Sequence, residues 1–217
     1  MIHGVLFDLD GTLADTEPLQ WQAYRTVLAA FAVDVGIDEY RHHWIAVEGG
    51  AEYACRTYRL PIDASELRAR KTVEYRRLIM AGVAPRPGAR AVLERLGSAC
   101  RLAVATNTVR AEAELVLGHL GVRDLLHALI AREDYVHGKP APDAYRAAAR
   151  ALGLAPAECA VVEDTTRGVR AGVAAGCVVI AVPNEFTWDN DFAGAARRLA
   201  SLDELTPRVL QDVSTAG

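Results

Sequence analysis

The chain has 217 residues, 51% of them hydrophobic, and a formal net charge of −4. The apolar content predicts a sizeable core and argues against disorder, and the mild acidity argues against a nucleic-acid partner, which needs a concentrated basic surface. No apolar stretch approaches the ~18 residues that a membrane span needs, and the amino terminus shows no signal-peptide pattern. The four cysteines are dispersed without CxxC spacing, which argues against a zinc site or a disulfide framework. We therefore expect a cytoplasmic protein with no membrane partner.

Five short apolar runs predict β-strands, and from the second onward they alternate with helical patterns. The predicted strands are 5–9, 102–106, 126–131, 160–163 and 178–182, and the helical patterns between and after them are 110–120, 141–152, 167–175 and 201–210. Such alternation is typical of a parallel sheet with crossover helices. The sequence therefore predicts an α/β fold with a Rossmann-like parallel sheet.

Residues 16 to about 81 interrupt this alternation. Thr16-Glu17-Pro18 is a helix-start signal. Apolar residues at 19–31 then lie on one helical face, and further helical stretches follow at 38–47, 51–58 and 65–80. A turn-rich connector at 82–88 leads back to the α/β pattern. We predict a catalytic core of residues 1–14 and 83–217, and an inserted α-helical cap of residues 15–82.

Polar residues stand at four places where a predicted strand ends or a helix begins. They are Asp8-Leu9-Asp10-Gly11-Thr12, Thr106-Asn107, Gly138-Lys139-Pro140 and Glu163-Asp164. In open α/β sheets, ligands bind at the carboxyl ends of the strands. The polar side chains are therefore expected to converge there.

The chemistry of the four clusters is complementary. A carboxylate pair can hold a divalent cation through oxygen ligands and offer an oxygen nucleophile. Hydroxyl and amide groups can hold phosphoryl oxygens, Lys139 can supply a positive charge, and the second acidic pair can complete a metal site begun by Asp8. Each cluster alone is explained as well by a turn, a helix cap or an exposed lysine. Together they predict phosphoryl transfer.

Four segments of the chain resemble the four sequential motifs of the haloacid dehalogenase-like superfamily. They are DLDGT at residue 8, the strand ending in Thr106-Asn107, GKPAPD at residue 138 and VVEDT at residue 161. The helical insert resembles the cap of the phosphatase and β-phosphoglucomutase-like branch, and the similarity runs over essentially the whole chain.

The resemblance implies that Asp8 attacks the substrate phosphorus and forms an aspartyl-phosphate. Asp10 would protonate the leaving oxygen and then activate water. Dehalogenases of the superfamily lack an acid at the position of Asp10 and need no metal. The presence of Asp10 therefore favours phosphorus over carbon as the electrophile.

The resemblance also implies the groups that bind phosphate and metal. Thr106, Asn107 and Lys139 would contact the phosphoryl oxygens. One Mg²⁺ would be held by Asp8, the backbone carbonyl of Asp10 and Asp164, with Glu163 close behind through water. The partner is expected to be a small phosphorylated metabolite, a sugar phosphate or a phosphoglycolate-like molecule, and the protein a monomer or a weak dimer.

The cap would select the substrate, because the core reads only the phosphate. Its candidate substrate residues are Gln20, the Glu48-Gly49-Gly50 turn and Lys71. A helix surface and a simple loop explain these positions equally well. A polar, turn-prone segment at 184–191 is expected to be a surface loop, although it could flank the entrance.

Three functions remain open. The first is a Mg²⁺-dependent phosphatase, and the second is a β-phosphoglucomutase-like sugar phosphate mutase. Arg70-Lys71 with Tyr75 resembles a cap feature of the mutases, but those mutases carry a histidine where this chain has Gln20 and a Gly-x-Ser-Arg turn where it has Glu48-Gly49-Gly50-Ala51. This favours the phosphatase. The third is a catalytically idle relative that only binds a phosphorylated ligand, and the intact motifs argue against it.

Overall fold

The computed structural model describes residues 1–46 and 49–215. The chain forms two compact units, one of Met1–Asp15 with Ala84–Gly217 and the other of Thr16–Val83. Within the first unit, the segments that lead out of it and back run antiparallel, since Asp15 N donates to Ala84 O and Arg86 N donates to Leu13 O.

In the part of the chain that the structure describes, the first unit contains a parallel sheet of six strands. They are β1 (Gly4–Phe7), β2 (Arg101–Ala105), β3 (Ala128–Ile130), β4 (Cys159–Glu163), β5 (Val178–Ala181) and β6 (Arg197–Arg198), in the order β3-β2-β1-β4-β5-β6. All neighbouring strands are parallel. The predicted α/β fold is confirmed. β6 was not predicted, because its two exposed arginines form no apolar run.

The second unit is helical. Its elements are α1 (Glu17–Ala29), α2 (Ile37–Tyr40), a π-helical segment Arg41–Ala46 that continues α2, α3 (Gly50–Thr57) and α4 (Ala64–Ala81). α1 packs along α4, and the side chains of Leu28, Leu67 and Ile79 are fully buried. In place of the single helix predicted at 38–47, the structure has a short α-helix followed by a π-helical turn. Residue 47 lies outside the described residues.

Five more α-helices lie within the described residues of the first unit. They are α5 (Ala89–Gly97), α6 (Arg110–Leu120), α7 (Asp143–Ala151), α8 (Thr166–Ala175) and α9 (Pro207–Thr215). α5 was not predicted, although its buried residues 89, 92, 93 and 96 have helical spacing. The prediction of one helix over 201–210 is wrong. A 3₁₀ turn occupies Leu202–Glu204, and α9 starts only at Pro207. Proline is favourable in the first turn of a helix. None of the helices within the described part of the chain is both long enough and apolar enough to cross a membrane.

The central strands bring their carboxyl ends to one edge of the sheet. Phe7 on β1 is in register with Val104 on β2 and Val162 on β4. The residues that follow these strands are therefore neighbours across the sheet. Asp8 N continues the pairing by donating to Val162 O at 3.0 Å. The parallel register thus places the polar clusters side by side.

We expect two helical glycines to respond oppositely to alanine. A Cβ on Gly172 of α8 would lie 2.7 Å from Val179 Cγ2, whereas a Cβ on Gly118 of α6 would meet nothing within 4 Å. Gly172→Ala should lower the free energy of unfolding by about 1–3 kcal/mol through overpacking, and Gly118→Ala should leave it unchanged or raise it by up to about 1 kcal/mol. Urea denaturation followed by circular dichroism measures both, and equal effects would contradict the close packing of α8.

Candidate active site

A buried lysine lies between two carboxylates at the carboxyl edge of the sheet. Asp8 follows β1, Glu163 ends β4, and Lys139 precedes α7. The Lys139 Nζ donates to Asp8 Oδ1 at 2.5 Å and to Glu163 Oε1 at 2.7 Å, and it lies 4.6 Å from the ring centroid of Tyr145. Lysines are rarely buried without a partner, and here the two carboxylates are the partners of the buried ammonium group. The three motifs that supply these residues do converge.

Burial and charge act in opposite directions on the pKa of each group. Burial raises the pKa of Asp8 to about 8, with Lys139 opposing the shift and Glu163 and Asp10 adding to it. Burial lowers the pKa of Lys139, but Asp8 and Glu163 outweigh it and the pKa lies above its usual value. Burial raises the pKa of Glu163, but Lys139 outweighs it and the pKa is lowered. Lys139 and Glu163 are therefore a charged pair, and a further cation beside Asp8 would favour its ionised form.

The carboxylate of Glu163 is saturated with hydrogen bonds. Its Oε1 accepts from Lys139 Nζ and from the hydroxyl of Tyr145, both at 2.7 Å. Its Oε2 accepts from Asp164 N, Thr165 N and Thr165 Oγ1 at 3.0–3.2 Å. Since a carboxylate offers about four lone-pair sites, Glu163 is better suited to orienting Lys139 than to ligating a metal directly.

Three carboxylates form the candidate metal centre. Asp8, Glu163 and Asp164 each offer an oxygen within 4.8 Å of the others. Asp164 is fully buried, and its Oδ1 accepts from Thr12 Oγ1 at 3.1 Å. Carboxylate oxygens are the ligands that hard divalent cations prefer. Asp8 and Asp164 can therefore offer oxygens to a metal ion, with the hydrogen-bonded Glu163 close behind them.

The side chain of Asp10 accepts hydrogen bonds from two threonines that follow β2. Its Oδ2 accepts from Thr108 Oγ1 at 2.6 Å and from Thr106 Oγ1 at 3.2 Å. Thr106 Oγ1 also accepts from Thr108 N at 3.0 Å. The sequence reasoning missed Thr108, although a second hydroxyl two residues after Thr106 was a usable signal. The predicted contact of Thr106 with a phosphoryl oxygen stays a prediction.

The side chain of Asn107 supports the segment that carries Lys139. Its Oδ1 accepts from Lys139 N at 3.1 Å and from the hydroxyl of Tyr135 at 2.8 Å. Asn107 can thus offer its backbone amide to an anion while its side-chain oxygen positions the lysine. Tyr135 and Tyr145 were also missed, because a single tyrosine outside a motif gives no sequence signal for such a contact.

The predicted substrate residues of the helical unit form two groups. Lys71 Nζ donates to Gln20 Oε1. Gly49 is the N-cap of α3, with a left-handed φ of 82°, and Gly50 is buried against a tryptophan ring of the same unit. Glu48 lies outside the described residues. The structure therefore pairs Gln20 with Lys71, and the substrate role of all four residues stays a prediction.

Gly168, in the first turn of α8, lies against the Glu163 carboxylate. A Cβ on Gly168 would overlap that group, so Gly168→Ala should lower the free energy of unfolding by about 1–3 kcal/mol. The loss should be smaller in a Glu163→Ala background, because the clash is then removed. A double-mutant cycle from urea denaturation measures this coupling, and purely additive losses would contradict the predicted clash.

Known proteins resemble this chain over most of its length. The sequence profile of the haloacid dehalogenase-like hydrolase family matches residues 2–176. Protein CbbY of Cereibacter sphaeroides is 36% identical over 219 residues, covering 94% of this chain and 94% of the relative. Fructose-1-phosphate phosphatase YqaB of Escherichia coli is 34% identical over 178 residues, covering 80% of this chain and 92% of the relative.

A solved structure agrees with the sequence matches. The crystal structure of a CbbY mutant from Rhodobacter sphaeroides, in complex with xylulose-(1,5)bisphosphate, aligns with a TM-score of 0.79 at 34% identity. The alignment covers 94% of this chain and 96% of that one. The predicted family and hydrolase class are confirmed. The chain belongs to the haloacid dehalogenase-like hydrolases.

Proposed function

We propose that the protein is a Mg²⁺-dependent phosphatase that hydrolyses a small phosphorylated sugar through an aspartyl-phosphate on Asp8. The observation that carries this proposal is the position of Asp8. Its carboxylate contacts Lys139 at 2.5 Å and lies close to the carboxylates of Glu163 and Asp164. The relatives that act on or bind sugar phosphates support the substrate class.

In the first step, an Asp8 oxygen attacks the phosphorus as the bond to the leaving sugar oxygen breaks. Asp10 donates its proton to that oxygen, and the sugar leaves as a neutral alcohol. Lys139, already charged and held by Glu163, compensates the phosphoryl charge without reorganising. Catalysis of phosphoryl transfer is largely such positioning and charge compensation.

In the second step, Asp10 removes a proton from water, which attacks the phosphorus of the aspartyl-phosphate. The bond between phosphorus and the Asp8 oxygen breaks, so inorganic phosphate leaves and the carboxylate of Asp8 is regenerated. The hydroxyls of Thr106 and Thr108 keep Asp10 in place for both proton transfers. One carboxyl thus acts first as acid and then as base.

The donor set fits Mg²⁺, which prefers one or two carboxylates together with substrate phosphate and water. Asp8, the Asp10 carbonyl and Asp164 would hold the ion, with Glu163 behind them. When bound, the ion would supply positive charge to the phosphoryl oxygens.

A mutase remains the second candidate, because the mutases resemble this chain in having a lysine at the position of Lys71. In this structure Lys71 donates a hydrogen bond to Gln20 in the helical unit. The glutamine itself favours hydrolysis, since those mutases carry a histidine there. Conversion of a sugar 1-phosphate to its 6-phosphate with negligible phosphate release would decide for the mutase.

We expect Asp8→Asn to abolish turnover, because an amide cannot serve as the nucleophile. The measurement is phosphate release from a panel of phosphorylated sugars and phosphoglycolate with Mg²⁺, with and without EDTA. EDTA should suppress the wild-type activity. Undiminished hydrolysis by Asp8→Asn would rule out the proposed intermediate.

Asp10→Asn should affect substrates according to their leaving groups. For a sugar phosphate, kcat/KM should fall by roughly 10²–10⁴-fold, the usual contribution of a positioned general acid. For p-nitrophenyl phosphate the fall should be much smaller, because that leaving group needs no proton. Steady-state kinetics on both substrates provides the comparison, and equal losses would exclude Asp10 as the acid.

A further inference from the structure

The segment 184–191, expected to be a surface loop, is buried at its start. Asn184, Phe186 and Thr187 are 6%, 4% and 0% exposed. The segment follows β5, which pairs with β4 in the sheet. Its first residues therefore lie beside Asp164, directly after β4.

The side-chain amide of Asn184 is fully engaged there. Its Nδ2 donates to Asp164 Oδ2 at 2.7 Å and to Gly11 O at 3.1 Å, and its Oδ1 accepts from Phe186 N at 2.7 Å. The reverse amide orientation would set an oxygen against two acceptors and a nitrogen against a donor. The hydrogen bonds therefore fix which way the amide points.

Asp164 is clamped by this amide and by the turn after β1. Thr12 holds one of its oxygens and Asn184 holds the other. Gly11 packs closely against this pair, because a Cβ at this position would overlap Asp164 Oδ2 and would lie 2.9 Å from Asn184 Nδ2. Rotation of the carboxylate would break both hydrogen bonds. Its plane is therefore set by residues far away in the sequence.

We propose that Asn184 is a positioning residue that holds Asp164 in the orientation a divalent cation requires. The inference rests on the metal site of the proposed function. Removing a group that orients a metal ligand commonly weakens the metal affinity by roughly 10–100-fold. Asn184 does so with a neutral donor, which fixes the carboxylate without competing for its charge.

The test uses Mn²⁺ as the probe, with free Mn²⁺ measured by electron paramagnetic resonance. Asn184→Ala should weaken Mn²⁺ binding by about tenfold or more. Asn190→Ala is the matched control, because it makes the same substitution in the same segment, and Asn190 Nδ2 has no hydrogen-bond partner among the described residues. Asn190→Ala should bind Mn²⁺ within twofold of the wild type. Asn184→Leu, of similar shape, replaces Asn184→Ala if the alanine variant does not fold.

Asp164→Asn separates the possible failures. One outcome is that the wild type binds Mn²⁺ and Asp164→Asn weakens this binding, whereas a folded Asn184 variant binds Mn²⁺ as tightly as the wild type. That outcome overturns the positioning role and leaves the metal site in place. If Asn190→Ala weakens binding as much as Asn184→Ala, the effect belongs to the segment as a whole and the positioning role is again overturned. If the wild type does not bind Mn²⁺, or if Asp164→Asn leaves its Mn²⁺ binding unchanged, both the metal site and the positioning role are overturned.

Discussion

The structure of the site depends on one buried cation held between two carboxylates. Lys139, Asp8 and Glu163 come from three separate segments, and each is almost completely excluded from solvent. Breaking a buried ion pair from one side typically costs about 3–5 kcal/mol, because the other charge is left uncompensated. The contacts of Lys139 therefore join the ends of β1 and β4 to the segment before α7, and the geometry of the candidate site follows from that junction.

The parallel sheet makes this junction possible. β1 lies between β2 and β4, so the residues following the three strands meet at one edge. Two hydrogen-bonded groups result: one joins Asp8, Lys139 and Glu163, and the other joins Asp10 to Thr106 and Thr108. Asp8 and Asp10, two residues apart in the sequence, thus form side-chain hydrogen bonds with different groups, which suits separate chemical roles.

Most of the fold could be predicted from the sequence, because its signals are local. Apolar runs of strand length alternating with helical periods indicated a parallel sheet, and polar motifs at the strand ends marked Asp8, Thr106 and Glu163. The sequence signals failed to predict elements whose position depends on tertiary packing. The strand β6 has no apolar run, and residues 201–210 divide at Pro207 into a 3₁₀ turn and α9.

The sequence by itself determined the fold class, the family motifs and the chemical character of the site, since each depends on residues close together in the chain. Only the tertiary structure decided which side chains hold those residues in place. Thr108 contacts Asp10 across 98 positions, and Asn184 contacts Gly11 across 173. Tyr145 reaches Glu163 from another element. No local pattern encodes such contacts, because they arise only when the strands align and the interior excludes water.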